Sequence, residues 1–204
     1  MGVFDIFFRK PPPIRDAAAL ADFIDGNAAF VTQKGLYEYS RVRAGHYAKV
    51  LFKEQTFQIA IEEARWRAYP LGLAMIAEVV DSVLHDESSP ARAENLARLD
   101  ELVLSIFDRY PVPPSIGPGA WRGIREELDR RLKLIALHPP KRAKDIQEPY
   151  AQAYFDTMPI HEQLRARDFP TTKNYLKVTL CNVHDVLSKR IDRAAFTGEA
   201  AVAG

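Results

Sequence analysis

The sequence predicts an all-α protein, an irregular bundle of about seven helices around one core. Large apolar residues recur at spacings of three and four along most of the chain, and two-residue alternation is almost absent. The 204 residues are 47% hydrophobic and 27% charged, a composition typical of globular domains. Because the sequence has no repeat of fixed period, a bundle is favoured over a solenoid.

An apolar arm, residues 1–15, precedes the first predicted helix and ends in a proline triplet. If exposed, such an arm binds a partner chain, a membrane surface or a groove of its own protein, and these alternatives remain open. The arm lacks the basic region and the long apolar core of a secretory signal, so we expect a cytoplasmic protein. Its large side chains are Phe4, Ile6, Phe7 and Phe8.

Two helices are predicted next, on either side of Gly35. Asp16 supplies an N-cap for the first helix, and Gly35 is placed to end it. The second helix is expected from about Leu36 to Phe52. Its Tyr39, His46 and Lys53 lie seven residues apart, which would place them near one face.

The longest helical pattern runs from about residue 54 to residue 85. Pro70 interrupts this pattern, because its ring removes a backbone donor and collides with the carbonyl of Trp66. We therefore expect either a kink at Pro70 or two separate helices.

The second half of the chain begins with a helix that Ser89 caps and Pro90 opens, and that stops near Tyr110. Residues 111–119 hold four prolines and two glycines, so they form a loop between two halves of the bundle. One helix follows from Trp121, and the last begins at Thr171 or Thr172. Residues 16–196 are thus expected to form a single helical domain, and 197–204 a disordered tail.

No catalytic motif, metal site or cofactor site is predicted. Paired Glu-x-x-His, His-Glu-x-x-His, Gly-x-Ser-x-Gly and phosphate-binding glycine loops are all missing. Asp81 and His85, four residues apart, are interpreted as a charge contact at a helix end and not as a metal-ligand pair. Cys181 and His184, three residues apart, are interpreted as structural residues and not as a catalytic pair, because a mid-helix cysteine is commonly a small core residue.

The charge balance argues against nucleic-acid binding as the main function. The 28 Lys and Arg residues nearly cancel the 27 Asp and Glu residues, which leaves a net charge of +1. Basic residues cluster between positions 122 and 144, but most have an acidic residue four positions away. A weak nucleic-acid binder is the second alternative, and no stable membrane association is expected.

The most informative stretch, from Tyr37 to Tyr69, interleaves aromatic and basic side chains. Aromatic rings and arginines are enriched at interfaces and in pockets, although the same rings could fill a core. We therefore predict a module that binds a protein partner or a small apolar or aromatic ligand, with a homodimer among the partners. The alternative is an enzyme, a hydrolase, whose unidentified catalytic groups meet between helices. The predicted binding residues are Tyr39, Arg43, His46, Glu54 and Trp66.

Overall fold

The structure, a computed structural model, describes residues 12–86 and 88–197, and this part of the chain is all-α as predicted. It contains no β-strand, and the only strand-like pairing within these ranges is a single bridge between Ile14 and Ile191. The helices are α1 (Ala17–Ala29), α2 (Gly35–Ala44), α3 (Ala48–Leu51), α4 (Gln55–Leu84), α5 (Arg92–Phe107), α6 (Pro118–Ile135), α7 (Ala151–Asp156), α8 (Glu162–Arg165), α9 (Phe169–Arg190) and α10 (Arg193–Thr197).

Helix α4 is the centre of the bundle. Every residue from Ala68 to Asp81 is buried, because α1, α5, α6 and α9 all pack against α4. The helix runs through Pro70 as one element, so of the two predicted alternatives, a kink or two separate helices, the second is wrong. The helices that pack against α4 stabilise it by more than the loss of one backbone hydrogen bond at Pro70 costs. Buried residues from both sides of the loop at 111–119 belong to one apolar cluster.

The first two predicted helices are joined, so the expectation that Gly35 ends a helix is also wrong. A π-helical turn, Phe30–Lys34, connects α1 directly to α2. A Cβ atom at Gly35 would lie 2.5 Å from the hydroxyl of Tyr154, so this glycine permits a close approach and does not serve as a helix stop. The wide turn presents two backbone carbonyls to tyrosine hydroxyls, which donate to them at 2.8 Å (Tyr154 to Thr32) and 3.1 Å (Tyr175 to Val31).

The second predicted helix is interrupted before it reaches Phe52. Gly45 has φ of +53°, which ends α2, and a 3₁₀ turn, Gly45–Tyr47, leads into the short helix α3. Tyr39, His46 and Lys53 therefore do not share one face of a continuous helix.

Two helices begin a few residues away from the positions that the sequence predicted. Helix α5 begins at Arg92, because the Ser89 side chain hydrogen-bonds to Asp86 in the preceding turn instead of capping the helix. Helix α9 begins at Phe169, with Pro170 in its first turn. Thr172 is buried inside that helix.

The segment before α1 is held against the end of α9. The Ile14 amide donates to the Arg190 carbonyl at 2.8 Å, and the Asp192 amide donates to the Ile14 carbonyl at 2.9 Å. Residues 1–11 of the apolar arm and residues 198–204 of the predicted tail lie outside the described residues, whereas Thr197 ends α10. None of the helices in the described ranges is long and apolar enough to cross a membrane.

Candidate interaction surface and buried polar networks

Two of the five predicted binding residues meet at one carboxylate. Tyr39 and Arg43 lie one turn apart on α2, and both donate hydrogen bonds to Oδ2 of Asp168, just before α9. The Tyr39 hydroxyl is 2.7 Å from that oxygen. The Arg43 guanidinium holds the pKa of Asp168 below its ordinary value. These contacts attach α2 to the start of α9.

The other three predicted residues lie elsewhere. His46, in the 3₁₀ turn, and Glu54, which precedes α4, are both exposed. Trp66 is about 18 Å further along α4 than Glu54. It is half-buried in an aromatic cluster, with ring centroids 5.4 Å from Tyr110 and 5.6 Å from Trp121. The five residues therefore do not line one site.

The structure instead shows a concentration of exposed apolar side chains around α2 and α3. Twelve large apolar side chains are exposed within the described ranges, and five of them fall between residues 37 and 59. Three are more than half exposed in the short stretch around the 3₁₀ turn: Val42 at 73%, Tyr47 at 77% and Val50 at 60%. We call this region the aromatic–basic surface, and its members are Tyr37, Val42, Tyr47, Val50 and Ile59 with Arg41, His46, Lys49 and Lys53.

Positive charge accompanies these apolar groups. Residues 37–59, which span this surface, include four Lys and Arg residues and two acidic residues, Glu38 and Glu54. Arg41 pairs with Glu38 and Arg43 with Asp168, whereas Lys49 and Lys53 form no ion pair with any described residue. The two lysines give the surface an excess of positive charge.

A groove lies beside this surface, between α2, α3 and the first turns of α4. Its volume is about 290 Å³. Phe52 forms its aromatic wall, with its ring centroid 5.2 Å from Tyr37 and 5.2 Å from Phe57. Ile61, Glu62 and Arg65 of α4 complete one side, so the groove itself carries charges of both signs.

A buried polar network joins α4 to α5. Asp81 accepts hydrogen bonds from Nε and Nη2 of Arg92, at 3.0 Å and 2.7 Å. His85 places Nδ1 3.1 Å from Asp81 and Nε2 3.0 Å from the Asn95 amide nitrogen. The predicted charge contact at a helix end is therefore a buried ion-pair network. The spacing of Asp81 and His85 revealed that pair, but no sequence pattern pointed to Arg92 or Asn95.

This network leaves no free base at His85. The Asn95 amide donates to Nε2, so the ring proton is assigned to Nδ1, which donates to Asp81. Both ring nitrogens are engaged, so neither is available to activate a nucleophile. The arrangement is suited to holding two helices together.

A second buried carboxylate, Glu78, lies one turn earlier on α4. Its Oε1 accepts from the Lys141 ammonium and from the Tyr150 hydroxyl, each at 2.7 Å. Oε2 is buried and has no hydrogen-bond partner among the described residues. Burial, followed by the charge of Glu78, raises the pKa of Tyr150. The only sequence signal is that Glu78 directly follows an uninterrupted apolar run from Leu71 to Ala77.

An open cleft of about 430 Å³ lies between the two networks. His85, Lys141, Arg142 and His184 line it, together with Asp86. Burial and the nearby charge of Arg193 lower the pKa of His184. Across the described part of the chain, no group of three or more His, Cys, Asp or Glu side chains could hold a metal ion.

The chain has no match among protein-family models, curated proteins or solved structures.

Proposed function

We propose that this chain is a binding module that recognises an acidic, apolar segment of a protein partner through the aromatic–basic surface. The observation that carries the proposal is the concentration of exposed Val42, Tyr47 and Val50 around one turn, next to Lys49 and Lys53, which have no ion-pair partner in the described part of the chain.

The apolar side chains supply the driving force for binding. Covering apolar surface with a partner removes it from water, at roughly 25 cal/mol per Å². Tyr and Arg side chains, which dominate the energetics of many interfaces, both occur on this surface. A concentration of exposed apolar side chains in one short part of the chain is consistent with an interaction site.

The exposed apolar groups outside the groove favour a protein partner over a small ligand. The groove beside Phe52 has a volume of about 290 Å³, near the lower limit for drug-sized ligands, and the exposed Val42 and Val50 do not line it. A longer segment would place one apolar side chain in the groove and lie over Val42 and Val50.

The lysines determine the preferred charge of the partner. Lys49 and Lys53 would attract carboxylates near the docked apolar groups, which speeds association and makes binding sensitive to salt. Val42 and Val50 stand between the basic residues, so a continuous phosphate-binding stripe is interrupted.

A selection from displayed random peptides against the full chain tests this proposal. We expect the selected peptides to combine Asp or Glu with aromatic or aliphatic residues. The double substitution Val42→Glu and Val50→Glu should weaken their binding at least about tenfold in fluorescence polarisation, a loss of about 1.4 kcal/mol.

The control is Val178→Glu on α9, a helical valine that is 51% exposed, and this substitution should leave affinity within about twofold. Lys49→Glu with Lys53→Glu should reduce both the affinity and its salt dependence, and Lys177→Glu should change neither. Peptides that bind the Val42→Glu/Val50→Glu variant as tightly as the original chain would refute the proposed site. Preferential binding of single-stranded RNA would refute the proposed partner class.

A further inference from the structure

A larger apolar pocket lies between α1, α4, α5 and α10, away from the aromatic–basic surface. Its volume is about 420 Å³, and its exposed lining is mainly apolar. His85 and Asn95, already bonded to each other, form a polar part of the lining. The main apolar lining comes from Leu20, Leu84, Leu99, Leu102 and Phe196.

This pocket lies at the end of the bundle where the described chain begins. The Pro12 carbonyl accepts a hydrogen bond from Nε of Arg190 at 3.2 Å, and the Ile14 bridge follows two residues later. On the α9 side of that bridge the chain continues into α10, whose Phe196 lines the pocket. On the other side it continues into α1, where Ala17 and Leu20 line the same pocket.

The residues preceding Pro12 can reach the pocket. An extended chain spans about 3.3–3.6 Å per residue, so the pocket wall at Ala17 is at most about 18 Å from Pro12. Phe8 is four residues before Pro12 and can lie about 14 Å from it. Phe4 can extend about twice as far, so the rings of the arm cover the required distance.

The apolar arm also matches the chemistry of the pocket better than the other end of the chain does. Five of the six residues 3–8 are large and apolar, whereas residues 198–204 include one such residue, Val202. We propose that residues 3–8 dock into this pocket of the same molecule.

Covalent attachment gives the arm an advantage over other occupants. A short tether holds a segment at an effective concentration in the millimolar range, which a free apolar molecule or a second copy of the chain rarely reaches. Docking also covers apolar surface on the partly exposed Leu102 and Phe196 that is otherwise in contact with water. The arm then ties together α1, α5 and α10 at this end of the bundle.

Disulfide trapping in the full chain tests the contact directly. In a Cys181→Ser background, cysteine is placed at 102 and, in separate variants, at 4, 6, 7 or 8. Oxidised glutathione accepts the two electrons released as the disulfide forms. We expect at least one pair to yield a monomer with an internal disulfide at least tenfold faster than the same arm cysteine paired with Val112→Cys.

The product distinguishes the possible occupants. An internal disulfide with Leu102→Cys supports the proposal. A disulfide-linked dimer would show that the arm of a second copy occupies the pocket, and equal rates with both partners would show that the arm has no preference for it. Either of these results overturns the proposal.

A thermal double-mutant cycle gives an independent readout. Replacing Phe4, Phe7 and Phe8 with Ser should lower Tm by at least about 4 °C, because docked rings are lost. In a Leu102→Lys background, which places a charge in the pocket, the same triple replacement should lower Tm by less than about 1 °C. The control is Leu137→Ser, which removes a leucine side chain that is 78% exposed and therefore shows the effect of losing a leucine outside the pocket. An equal drop in both backgrounds would locate the arm elsewhere and overturn the proposal.

Discussion

At the scale of single residues, two carboxyl groups on neighbouring helices have pKa values displaced in opposite directions. Burial alone would raise the pKa of Asp81, but hydrogen bonds from His85 and Arg92 outweigh it and lower that pKa. Burial, reinforced by the nearby charge of Asp129, raises the pKa of Asp100 to about 6. The difference arises because His85 and Arg92 donate to Asp81, whereas Oδ1 of Asp100 is buried and has no donor among the residues that the structure describes.

Asp81→Asn is expected to reduce the free energy of unfolding by about 3 kcal/mol at pH 7, because Arg92 and His85 lose a buried charged acceptor. The folded-state pKa of Asp81 is lowered, so its contribution is present above about pH 4 and disappears as the pH falls through the folded-state value. Urea unfolding at pH 7 and at pH 3 should therefore show a smaller difference between the two proteins at pH 3. Glu94→Gln, in an exposed pair with Arg98, should cost less than about 1 kcal/mol, and an equal cost at both positions would contradict this prediction.

Asp100→Asn is expected to stabilise the fold by about 1 kcal/mol at pH 7.5, because it removes a charge that is disfavoured by burial. With a folded-state pKa of about 6, Asp100 binds its proton more tightly in the folded chain than in the unfolded chain. Stability contributed by this group is therefore lost as the pH rises from about 4 to 6, and the gain should vanish at pH 4. Thermal unfolding at both pH values measures this effect, and Glu101→Gln is the neighbouring exposed control. A gain of the same size at pH 4 would show that charge is not its cause.

At the scale of helices, apolar spacing was sufficient to predict the existence of the long helices but not their ends. Asp16 does cap α1, since its side chain accepts from the Ala19 amide at 2.8 Å, and such a cap is a local signal. The role of Gly35 depends on tyrosines more than 100 residues later in the chain, which no local pattern records. The contact of Tyr39 and Arg43 with Asp168 could not be predicted for the same reason.

Replacing either of two helical glycines with alanine should change the free energy of unfolding, and the two changes should have opposite signs. A Cβ atom at Gly72 would lie 2.7 Å from the Ala28 carbonyl oxygen, so Gly72→Ala forces α4 away from α1 and should cost about 1–3 kcal/mol. Gly26, exposed on α1, has no atom within 4 Å of such a Cβ, and Gly26→Ala should stabilise the fold by about 0.5–1 kcal/mol. Urea unfolding of both variants tests this contrast. Stabilisation by both substitutions would show that helix propensity, and not the crossing of the two helices, decides the outcome at both positions.

At the scale of the whole molecule, the loop at 111–119 divides the sequence into two halves, but the helices of the two halves pack against each other. Trp66 of α4 and Trp121 of α6 lie on opposite sides of this loop, and their rings are 5.6 Å apart and nearly perpendicular. Trp121 also stacks on Phe107 of α5 at 4.3 Å. The aromatic cluster therefore reports on contact between the two halves.

We expect the two halves to unfold in one transition. The near-ultraviolet circular dichroism of the tryptophan pair and the far-ultraviolet helical signal should disappear at the same urea concentration. Trp121→Phe should remove the coupled tryptophan signal while retaining most of the helical signal, which assigns the signal to this contact. Loss of the tryptophan signal at clearly lower urea would show that the halves separate before they unfold.

The π-helical turn between α1 and α2 has a consequence for how the length of this chain can vary. Such a turn contains one amino acid more than a regular helix needs over the same distance. A deletion of one residue there would close the turn to regular helical geometry, the carbonyls of Val31 and Thr32 would no longer face the hydroxyls of Tyr175 and Tyr154, and the two phenol groups would lose their acceptors in the interior. In any homologue that is one residue shorter at this point, we accordingly expect phenylalanine in place of both Tyr154 and Tyr175.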